Sequence, residues 1–593
     1  MKIVFFSPHS AIWVHSFPEA LIAEALQQAG HEVTYIGCGR AFEHCICMMA
    51  AKVAPRAPAE ARRSVCRTCE ARKDILVSEF GFSGYGTSSV LDQAALEEAD
   101  AIVARATPEN FLDIVIDGVE VGRSALSTFL LNNKRINLRF TPDEWSNFSV
   151  ELQSTVRSFF ACRKVLDREQ PDRVILYSSG YSVNLVWCLL AERRGVPFYY
   201  MNAGSNLSDR LQKLVISRGH SLQRRLLDYW PSFQSIPCTA SAASYITDHF
   251  IELLRGRHVF VYSAPKQSEH VDLRSLFGIG AGQRVLVATM SSYDELYAAQ
   301  VTGLFPDDFP LIFPMQVDWL KALITFMEGR PDLFLLIRVH PREFPNKRDG
   351  LKSEHARELE NVLATLPANV RVNWPSDNVS LYDLAGIMDV CLNSWSTAGK
   401  EMSTLGIPVV IYSEELVFYP ADLNYLGRSH DDYFAQIDRA LSDGWSAERI
   451  RRMYRWLALE DKYSRIDISD SYRHKENAKR SLAEKIADRI KRRIDPDFRE
   501  RADCRRRSAS LRNAPEVLKT IEGGYRSVLE TLDLAHIPKD SVEEETVVLR
   551  REVGRLADAM YGAEAAIYPE GTLARHLADF AAGALGTPEH QSP

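Results

Sequence analysis

The chain has 593 residues, 46% of them hydrophobic and 25% charged, which are ordinary values for globular domains. The formal net charge is -7, so no overall basic field indicates a nucleic-acid partner. The N-terminal apolar stretch breaks at Ser7-Pro8-His9, and no apolar run reaches the roughly 18 residues of a membrane span. We therefore predict a cytoplasmic α/β protein without a secretory signal or transmembrane helix.

The N-terminal part alternates between strand and helix patterns. KIVFFS predicts a strand, a helix is expected from Pro18 to Gly30, and EVTYIGC predicts the next strand. The same alternation recurs over 171–201, which indicates a parallel sheet covered by helices. We predict an N-terminal Rossmann-like domain over residues 1–270, with a cysteine-containing insertion.

A second alternation begins near residue 283. RVLVATMSS, LFLLIRVH, VRVNWP, VCLNS and PVVIY predict strands separated by amphipathic helices. We predict a second Rossmann-like domain over 271–445, facing the first across a cleft. The remaining residues, 446–593, predict a helical and locally basic extension.

Five cysteines fall within the insertion: Cys38, Cys45, Cys47, Cys66 and Cys69. A C-x-C pair followed by a C-x2-C pair supplies four thiolates that could bind a structural zinc ion tetrahedrally. The spacing of the C-x-C pair is unusual for such sites. Free buried thiols and a redox pair are the alternatives.

Polar residues follow four predicted strands or begin the helices after them. They lie in SSYDE (291–295), PMQVD (314–318), RVHPRE (338–343) and NSWSTAGKE (393–401). In open α/β sheets, ligands bind at the carboxyl ends of the strands, so these segments are expected to converge on one crevice. With a tyrosine from a nearby helix, they provide the candidate ligand-binding residues: Ser291, Ser292, Gln316, Arg338, His340, Tyr382, Ser394, Ser396, Thr397, Gly399 and Glu401.

The turn STAGKE has the residue types of a phosphate-binding site. Ser394, Ser396 and Thr397 are residue types that cap helix N-termini, where free N–H groups attract anions. Gly399 would let a ligand approach closely, and Glu401 could accept hydrogen bonds from ribose hydroxyls. An ordinary capped helix is the alternative.

His340 precedes Pro341, which restricts it to extended backbone and keeps it at the end of its strand. An imidazole held there can donate to a phosphate oxygen. Arg338 and Arg342 add positive potential, although the sequence does not decide which of them faces the ligand. A solvated histidine at a strand end is the alternative.

The segment from about 283 to 425 resembles the donor-binding domain of GT-B glycosyltransferases of bacterial surface and capsular polysaccharide synthesis. SSYDE, Gln316, RVHP, LYDLAG, STAGKE and LGIPVVIY occur in the order found in that group. The resemblance implies that His340, Ser396 and Thr397 hold a nucleotide phosphate and that Glu401 contacts the nucleoside sugar. Tyr382 would flank the base, or else pack within its helix.

The first domain resembles the GT-B acceptor domain only in outline. His9, His15 and Glu19 follow its first strand, and a histidine can act as a general base near neutral pH. We favour His15 over His9 for that role. The resemblance implies that no metal and no cofactor is required.

The predicted function is transfer of a sugar from a CMP-, UDP- or GDP-linked donor to a glycan, a lipid-linked acceptor or a protein, in bacterial surface polysaccharide or glycoconjugate synthesis. A sugar-nucleotide epimerase and a non-catalytic nucleotide-binding scaffold are the alternatives. Arg489, Lys491–Arg493 and Arg505–Arg507 form a basic segment that is either a solvated face or a contact with the anionic inner face of the cell membrane.

Overall fold

The structure is a computed structural model that describes residues 1–584 except 220–221, 259, 268–270, 347, 349, 475–479 and 509–510. Its strands form two large sheets and one short hairpin. The strands are β1 (Lys2–Phe6), β2 (Glu32–Gly37), β3 (Ser83–Gly86), β4 (Val115–Ile116), β5 (Val119–Glu120), β6 (Arg173–Tyr177), β7 (Phe198–Ala203), β8 (Lys213–Arg218), β9 (Arg284–Thr289), β10 (Leu333–Arg338), β11 (Val370–Asn373), β12 (Val390–Asn393), β13 (Val409–Ile411), β14 (Tyr425–Leu426) and β15 (Ile466–Asp467).

The α-helices cover both faces of the sheets and make up most of the C-terminal region. They are α1 (Trp13–Gln28), α2 (Ile46–Ala50), α3 (Ala59–Phe80), α4 (Gln93–Ala104), α5 (Val121–Asn133), α6 (Pro142–Glu169), α7 (Ser182–Arg193), α8 (Leu222–Phe233), α9 (Ala240–Arg255), α10 (Leu273–Phe277), α11 (Tyr293–Val301), α12 (Gln316–Glu328), α13 (Glu354–Val362), α14 (Leu381–Ala385), α15 (Ala398–Thr404), α16 (His430–Asp443), α17 (Ala447–Leu457), α18 (Leu482–Ile494), α19 (Phe498–Arg506), α20 (Ala514–Glu522), α21 (Val542–Tyr561) and α22 (Leu573–Ala582). Within these ranges, no helix combines the length and the apolarity that crossing a membrane requires.

The second sheet has six parallel strands in the order β11-β10-β9-β12-β13-β14. In chain order this is 3-2-1-4-5-6, the doubly wound arrangement in which the direction of winding reverses between the first and fourth strands. The crevice at that reversal lies beyond Thr289 and Asn393, which pair at the ends of β9 and β12. The first domain repeats this pattern with β3-β2-β1-β6-β7. The prediction of two Rossmann-like units is confirmed.

The first sheet is extended by two antiparallel strands. β8 pairs with β7, and β15 pairs with β8 at the sheet edge. β15 comes from residues 466–467, so the C-terminal region completes the first sheet. The C-terminal helices pack on both halves: α20 contacts α1 of the first, and α17 contacts α15 of the second. The helical C-terminal region is thus confirmed, while the domain limits stay a prediction, with residue 270 itself outside the described residues.

One predicted helix boundary is wrong. The first helix begins at Trp13, five residues before Pro18, and contains Pro18 in its interior. Residues 13–17, which precede the predicted helix start, therefore form the first turn of α1. Because His15 lies in that turn, a helix rather than a loop positions it.

The loop after α5 joins the two halves through backbone carbonyls. Lys134 Nζ donates to the carbonyl oxygens of Arg342 (2.6 Å) and Leu351 (2.8 Å) and is buried. Arg135 forms an ion pair with Glu354 at 2.9 Å. These contacts hold the first domain against the segment that contains His340.

Candidate active site

A cavity of about 130 Å³ lies at the carboxyl edge of the second sheet, where the winding reverses. We call it the switch-point cavity. Its walls include residues from three neighbouring strand ends: Arg338 at the end of β10 and His340 after it, Met290 after β9, and Ser396 and Thr397 after β12. Tyr382 and Glu401 also line it. The structure therefore brings together six of the predicted ligand-binding residues: Arg338, His340, Tyr382, Ser396, Thr397 and Glu401.

His340 is held in one orientation by two hydrogen bonds to the same ring nitrogen. Its backbone is extended (φ -65°, ψ 130°), as expected before a proline. Nδ1 accepts the backbone N–H of Arg342 at 3.3 Å and lies 3.1 Å from Ser292 Oγ. Because a backbone N–H can only donate, Nδ1 is the unprotonated nitrogen of the neutral ring. Nε2–H is then the donor that the ring offers to a ligand.

Burial lowers the pKa of His340 to about 3, and the charges of Arg342, Arg338 and Lys134 act in the same direction. The imidazole is therefore neutral at physiological pH. It acts as a hydrogen-bond donor, and the positive charge near it comes from the arginines.

The two arginines of RVHPRE point to different places. Arg338 lines the cavity and donates to Asn373 Oδ1 (2.5 Å), the Val379 carbonyl (2.9 Å) and Ser263 Oγ (3.1 Å). Burial lowers its pKa to about 10, so it stays charged. Arg342 instead forms a buried ion pair with Asp294 at 2.8 Å. Arg338 is thus the arginine on the side of the cavity.

Glu401 is oriented by two hydroxyl donors. Tyr382 Oη donates to Glu401 Oε2 at 2.7 Å, and Thr397 Oγ1 donates to Oε1 at 3.1 Å. Burial raises the pKa of Glu401. Tyr382 is only 1% exposed, and its observed contact is with Glu401. Its role beside a base stays a prediction.

The other five predicted residues do not line the cavity. Ser292 is buried beside His340 Nδ1. Gln316 and Ser394 are buried and hydrogen-bond to each other at 3.1 Å. Ser291 is partly exposed on the loop after β9. At Gly399, an added Cβ would lie 2.1 Å from Tyr419 Oη, so the glycine permits close packing within the protein rather than approach of a ligand.

One wall of the cavity was not predicted. It consists of the end of α9 and the chain after it, including Leu253, Phe260, Tyr262 and Ser263. The ring of Tyr262 meets that of His340 edge-on, with centroids 5.7 Å apart. This segment lies near the end of the predicted first domain, and no local motif marks it.

The first domain places its candidate bases at the matching edge of its own sheet. His9 and Glu19 are fully buried, and His9 Nε2 lies 3.3 Å from Glu19 Oε2. His15 is partly exposed and stacks on Tyr177, with centroids 4.2 Å apart. Burial lowers the pKa of His15 to about 3, helped by the charges of His9 and Arg210. Of the three predicted residues, His15 alone is partly open to solvent.

The turn after β6 has a strained backbone beside His15. Ser178 has a φ of 61°, a value that side chains other than glycine rarely adopt. Asn184 holds the turn by donating to the carbonyls of Tyr177 (2.8 Å) and Ser178 (3.0 Å). These contacts fix the turn next to Tyr177, on which His15 stacks.

Arg210 connects the two candidate sites. Its guanidinium lies 3.9 Å from the centroid of the Phe260 ring, and Phe260 lines the switch-point cavity. The same guanidinium contributes to the lowered pKa of His15. The first-domain site and the switch-point cavity are therefore neighbours across the cleft.

The five cysteines of the insertion meet at one small cavity next to Pro8. Hydrogen bonds from Cys47 lower the pKa values of the Cys45 and Cys69 thiols. No group of three or more His, Cys, Asp or Glu side chains in the described ranges is arranged to hold a metal ion. The observed arrangement of the cysteines is a thiol network beside the loop that carries His9.

No protein-family model matches the sequence, and no curated protein matches it. Several solved structures are similar. KpsC of Thermosulfurimonas dismutans, a β-Kdo 2,4-transferase, is 17% identical with a TM-score of 0.30, and the match covers 49% of this chain and 80% of that one. A UDP-GlcNAc 2-epimerase from Neisseria meningitidis, bound to UDP-GlcNAc, is 11% identical with a TM-score of 0.25, covering 78% and 97%. SnogD, a glycosyltransferase from Streptomyces nogalater, is 14% identical with a TM-score of 0.23, covering 78% and 95%.

At these identities and TM-scores the neighbours do not decide between transferase and epimerase. The fold class follows from the chain itself. Two doubly wound sheets, joined at a cleft and completed by C-terminal helices, make up the GT-B type of α/β architecture.

Proposed function

We propose that the protein is a glycosyltransferase that moves a sugar from a nucleotide-sugar donor to a glycan, lipid-linked or protein acceptor in bacterial surface polysaccharide or glycoconjugate synthesis. One observation carries the proposal: His340, Arg338, Ser396 and Glu401 line a single cavity at the carboxyl edge of a doubly wound sheet. Hydrogen-bond donors suited to a phosphate and a carboxylate suited to ribose hydroxyls are thus within one site.

The side chains fit the leaving-group half of such a reaction. A neutral imidazole N–H, hydroxyls at the start of α15 and a nearby guanidinium would stabilise the negative charge that develops on the departing nucleotide phosphate. These groups could supply the charge stabilisation that a divalent metal gives in other transferases. We therefore propose that transfer needs no metal, so that activity should persist in EDTA.

The acceptor half of the reaction would take place at the edge of the first sheet. His15 is neutral and partly exposed, and it would remove the proton from the attacking hydroxyl. The cavity of about 130 Å³ is smaller than the roughly 300–1,000 Å³ of most small-molecule sites. It could enclose the nucleotide phosphate and ribose, with the transferred sugar extending into the cleft towards His15.

A thermal-stability screen tests the donor site. CMP, CDP, UDP and GDP and their sugar conjugates are added to the purified chain, and at least one nucleotide is expected to raise the melting temperature. In His340→Ala the affinity for that nucleotide should fall by about 10- to 100-fold, the value of a hydrogen bond to a charged group. The matched control is His536→Ala, because His536 lies on the surface far along the chain, with its side chain 84% exposed. Absence of stabilisation by every nucleotide would refute the donor site.

A second measurement separates a transferase from an epimerase. The stabilising sugar nucleotide is incubated with and without candidate acceptors, and products are separated by mass spectrometry. A transferase consumes the donor faster when the acceptor is present and gives a glycosylated product. Conversion of the donor sugar to its epimer without acceptor would instead assign the epimerase function, and binding with neither reaction would favour a scaffold.

A further inference from the structure

Helix α18 carries a line of large apolar side chains exposed to solvent. Leu482, Ile486, Ile490 and Ile494 are 75%, 52%, 57% and 84% exposed. They follow one another at intervals of four residues, so they form a continuous stripe on one side of the helix. We call these four residues the apolar stripe. In the part of the chain that the structure describes, nothing covers it.

The apolar stripe faces away from the protein. The helix is attached by Asp488, which accepts a hydrogen bond from Arg480 at 2.6 Å and also pairs with Arg499. At about 100° per residue, Asp488 is on the opposite side of the helix from the middle of the apolar stripe. No residue of this 13-residue helix is buried. Isolated helices of about 12–15 residues are only marginally stable in water, so an external surface that covers the stripe would stabilise the helix.

The charged residues of α18 indicate which kind of external surface would cover the apolar stripe. The helix contains five basic residues, Lys485, Arg489 and Lys491–Arg493, and two acidic ones, Glu484 and Asp488. Basic side chains flank the apolar stripe on both sides: Lys485 and Arg489 on one, Lys491 on the other. Helices with an apolar face and basic flanks lie in the interface of anionic lipid bilayers. Nucleic acid would match the charges but would leave the four apolar side chains in water.

We propose that α18 docks the protein on an anionic lipid bilayer. The apolar stripe would enter the boundary between headgroups and acyl chains, and the flanking lysine and arginine side chains would contact lipid phosphates. The orientation follows from the attachment through Asp488: the helix lies flat between the bilayer and the body of the protein.

The bilayer would then border a cavity that leads towards the first-domain site. This cavity, of about 630 Å³, lies between α18, α19 and the start of α1, and seven Lys or Arg and four Asp or Glu residues line it. Trp13 and Val14 form part of its wall, directly before His15. If the proposed transferase function holds, the basic side chains of this cavity bind the phosphate of a lipid-linked acceptor while the acceptor hydroxyl extends towards His15.

Vesicle flotation of the full chain tests the docking. The protein is mixed with vesicles of phosphatidylcholine alone or with added phosphatidylglycerol, and binding is expected only to the second kind and to weaken as salt is raised. Ile486→Ser/Ile490→Ser should reduce the partition coefficient by about tenfold or more, because both side chains leave the bilayer. Arg489→Gln/Arg493→Gln should reduce it and also remove most of the salt dependence.

Matched surface controls use exposed residues elsewhere. Val547→Ser removes an apolar side chain that is 65% exposed on α21, and Arg428→Gln removes an exposed arginine. Neither should change vesicle binding. Equal binding by the wild-type chain and Ile486→Ser/Ile490→Ser would overturn the proposal. So would sedimentation that shows a wild-type dimer dissociated by the same pair of substitutions, without any binding to vesicles.

Vesicle binding and nucleotide binding test the docking helix and the transferase function separately. Since no residue of α18 lines the switch-point cavity, the isoleucine variant should keep its nucleotide-induced stabilisation. Vesicle binding without any nucleotide binding would keep the docking helix and refute the donor site. Nucleotide binding without vesicle binding would support the donor site and refute the docking helix.

Discussion

Arg342 donates its backbone N–H to Nδ1 of His340 over 3.3 Å, within the single helical turn that Pro341 begins. The proline therefore has two effects: it keeps His340 extended, and it starts the turn that brings the Arg342 amide under the ring. Together they fix the tautomer with the proton on Nε2. The side chain of Arg342 has a structural role, because it is paired with Asp294 and does not line the switch-point cavity.

Glu401 should make the site distinguish ribose from deoxyribose. If its carboxylate accepts a hydrogen bond from the 2′-hydroxyl, the wild-type protein will bind the stabilising ribonucleotide about tenfold or more tightly than its 2′-deoxy analogue. Glu401→Gln should lose most of this preference. Tyr382→Phe should lose less, because it removes only a hydroxyl that orients the carboxylate. Calorimetry with both nucleotides measures the effect, and Glu414→Gln, on the surface, serves as control. Unchanged preference in Glu401→Gln would contradict the ribose contact.

His15 should affect the rate of transfer and not the binding of nucleotide. His15→Ala is expected to lower kcat by about 10²- to 10⁴-fold, the usual contribution of a general base. Nucleotide-induced stabilisation should remain, and His430→Ala, at an exposed position, should behave as wild type. His9→Ala should instead lower the melting temperature, because it leaves Glu19 buried without its neighbour.

The pH dependence gives a second check on His15. Its pKa is lowered to about 3, so the ring remains unprotonated as the pH falls from 8 to 5. The rate should therefore show no loss from protonation of this base over that range. A rate that falls with a midpoint near 6.5 and loses this limb in His15→Ala would mean that the site raises the pKa again when substrates bind.

Glu343 should make stability fall as pH rises. Burial raises the pKa of its carboxyl group from about 4.5 to about 7, despite hydrogen bonds from Ser353 and from the Tyr293 backbone. Between these pH values the unfolded chain is ionised while the folded protein keeps the proton, so raising the pH favours unfolding. Above pH 7 the loss is complete and amounts to on the order of 3 kcal/mol.

Glu343→Gln removes this titration. Melting temperatures measured from pH 4 to 8 should decline less steeply in the variant than in the wild type, and the variant should gain stability relative to wild type as the pH rises. Glu328→Gln, at an exposed position on α12, should follow the wild-type profile. Parallel profiles for Glu343→Gln and wild type would show that the carboxyl group is already ionised at low pH.

Gly399 should matter for folding rather than for ligand binding. A Cβ at this position would lie 2.1 Å from Tyr419 Oη and 2.6 Å from Asn393 Nδ2, so Gly399→Ala should destabilise the protein by about 1–3 kcal/mol. Gly329→Ala is the control, because a Cβ there meets no atom within 4 Å. Chemical denaturation measures both. A variant with normal stability and weakened nucleotide binding would restore the ligand-approach interpretation.

Much of the fold could be predicted because its strands are buried on both faces. Such strands appear as short apolar runs, and their alternation with amphipathic helices specifies a parallel sheet. The boundary at Pro18 was predicted wrongly because proline is favoured in a first helical turn, whereas α1 tolerates it in the interior. The pairing of β15 with β8 was not predicted, because two residues carry too little pattern to mark a strand.

The candidate site could be predicted only as a set of strand ends. His340 and Ser396 do line one cavity, because polar residues after neighbouring parallel strands lie at the same edge. Strand position does not say which way a side chain points, so Gln316 and Ser394 could not be distinguished from them. Tyr262 belongs to a segment without a motif, and its place beside His340 results from the packing of α9.

That segment also connects the two sheets. Leu253, Phe260, Tyr262 and Ser263 line the switch-point cavity and come between β8 and β9 in the chain, so a rotation of one sheet against the other would change the shape of the cavity. A ligand that fits only one arrangement of this wall would stabilise one relative position of the halves. Donor binding would in this way set the width of the cleft through the residues that line the cavity.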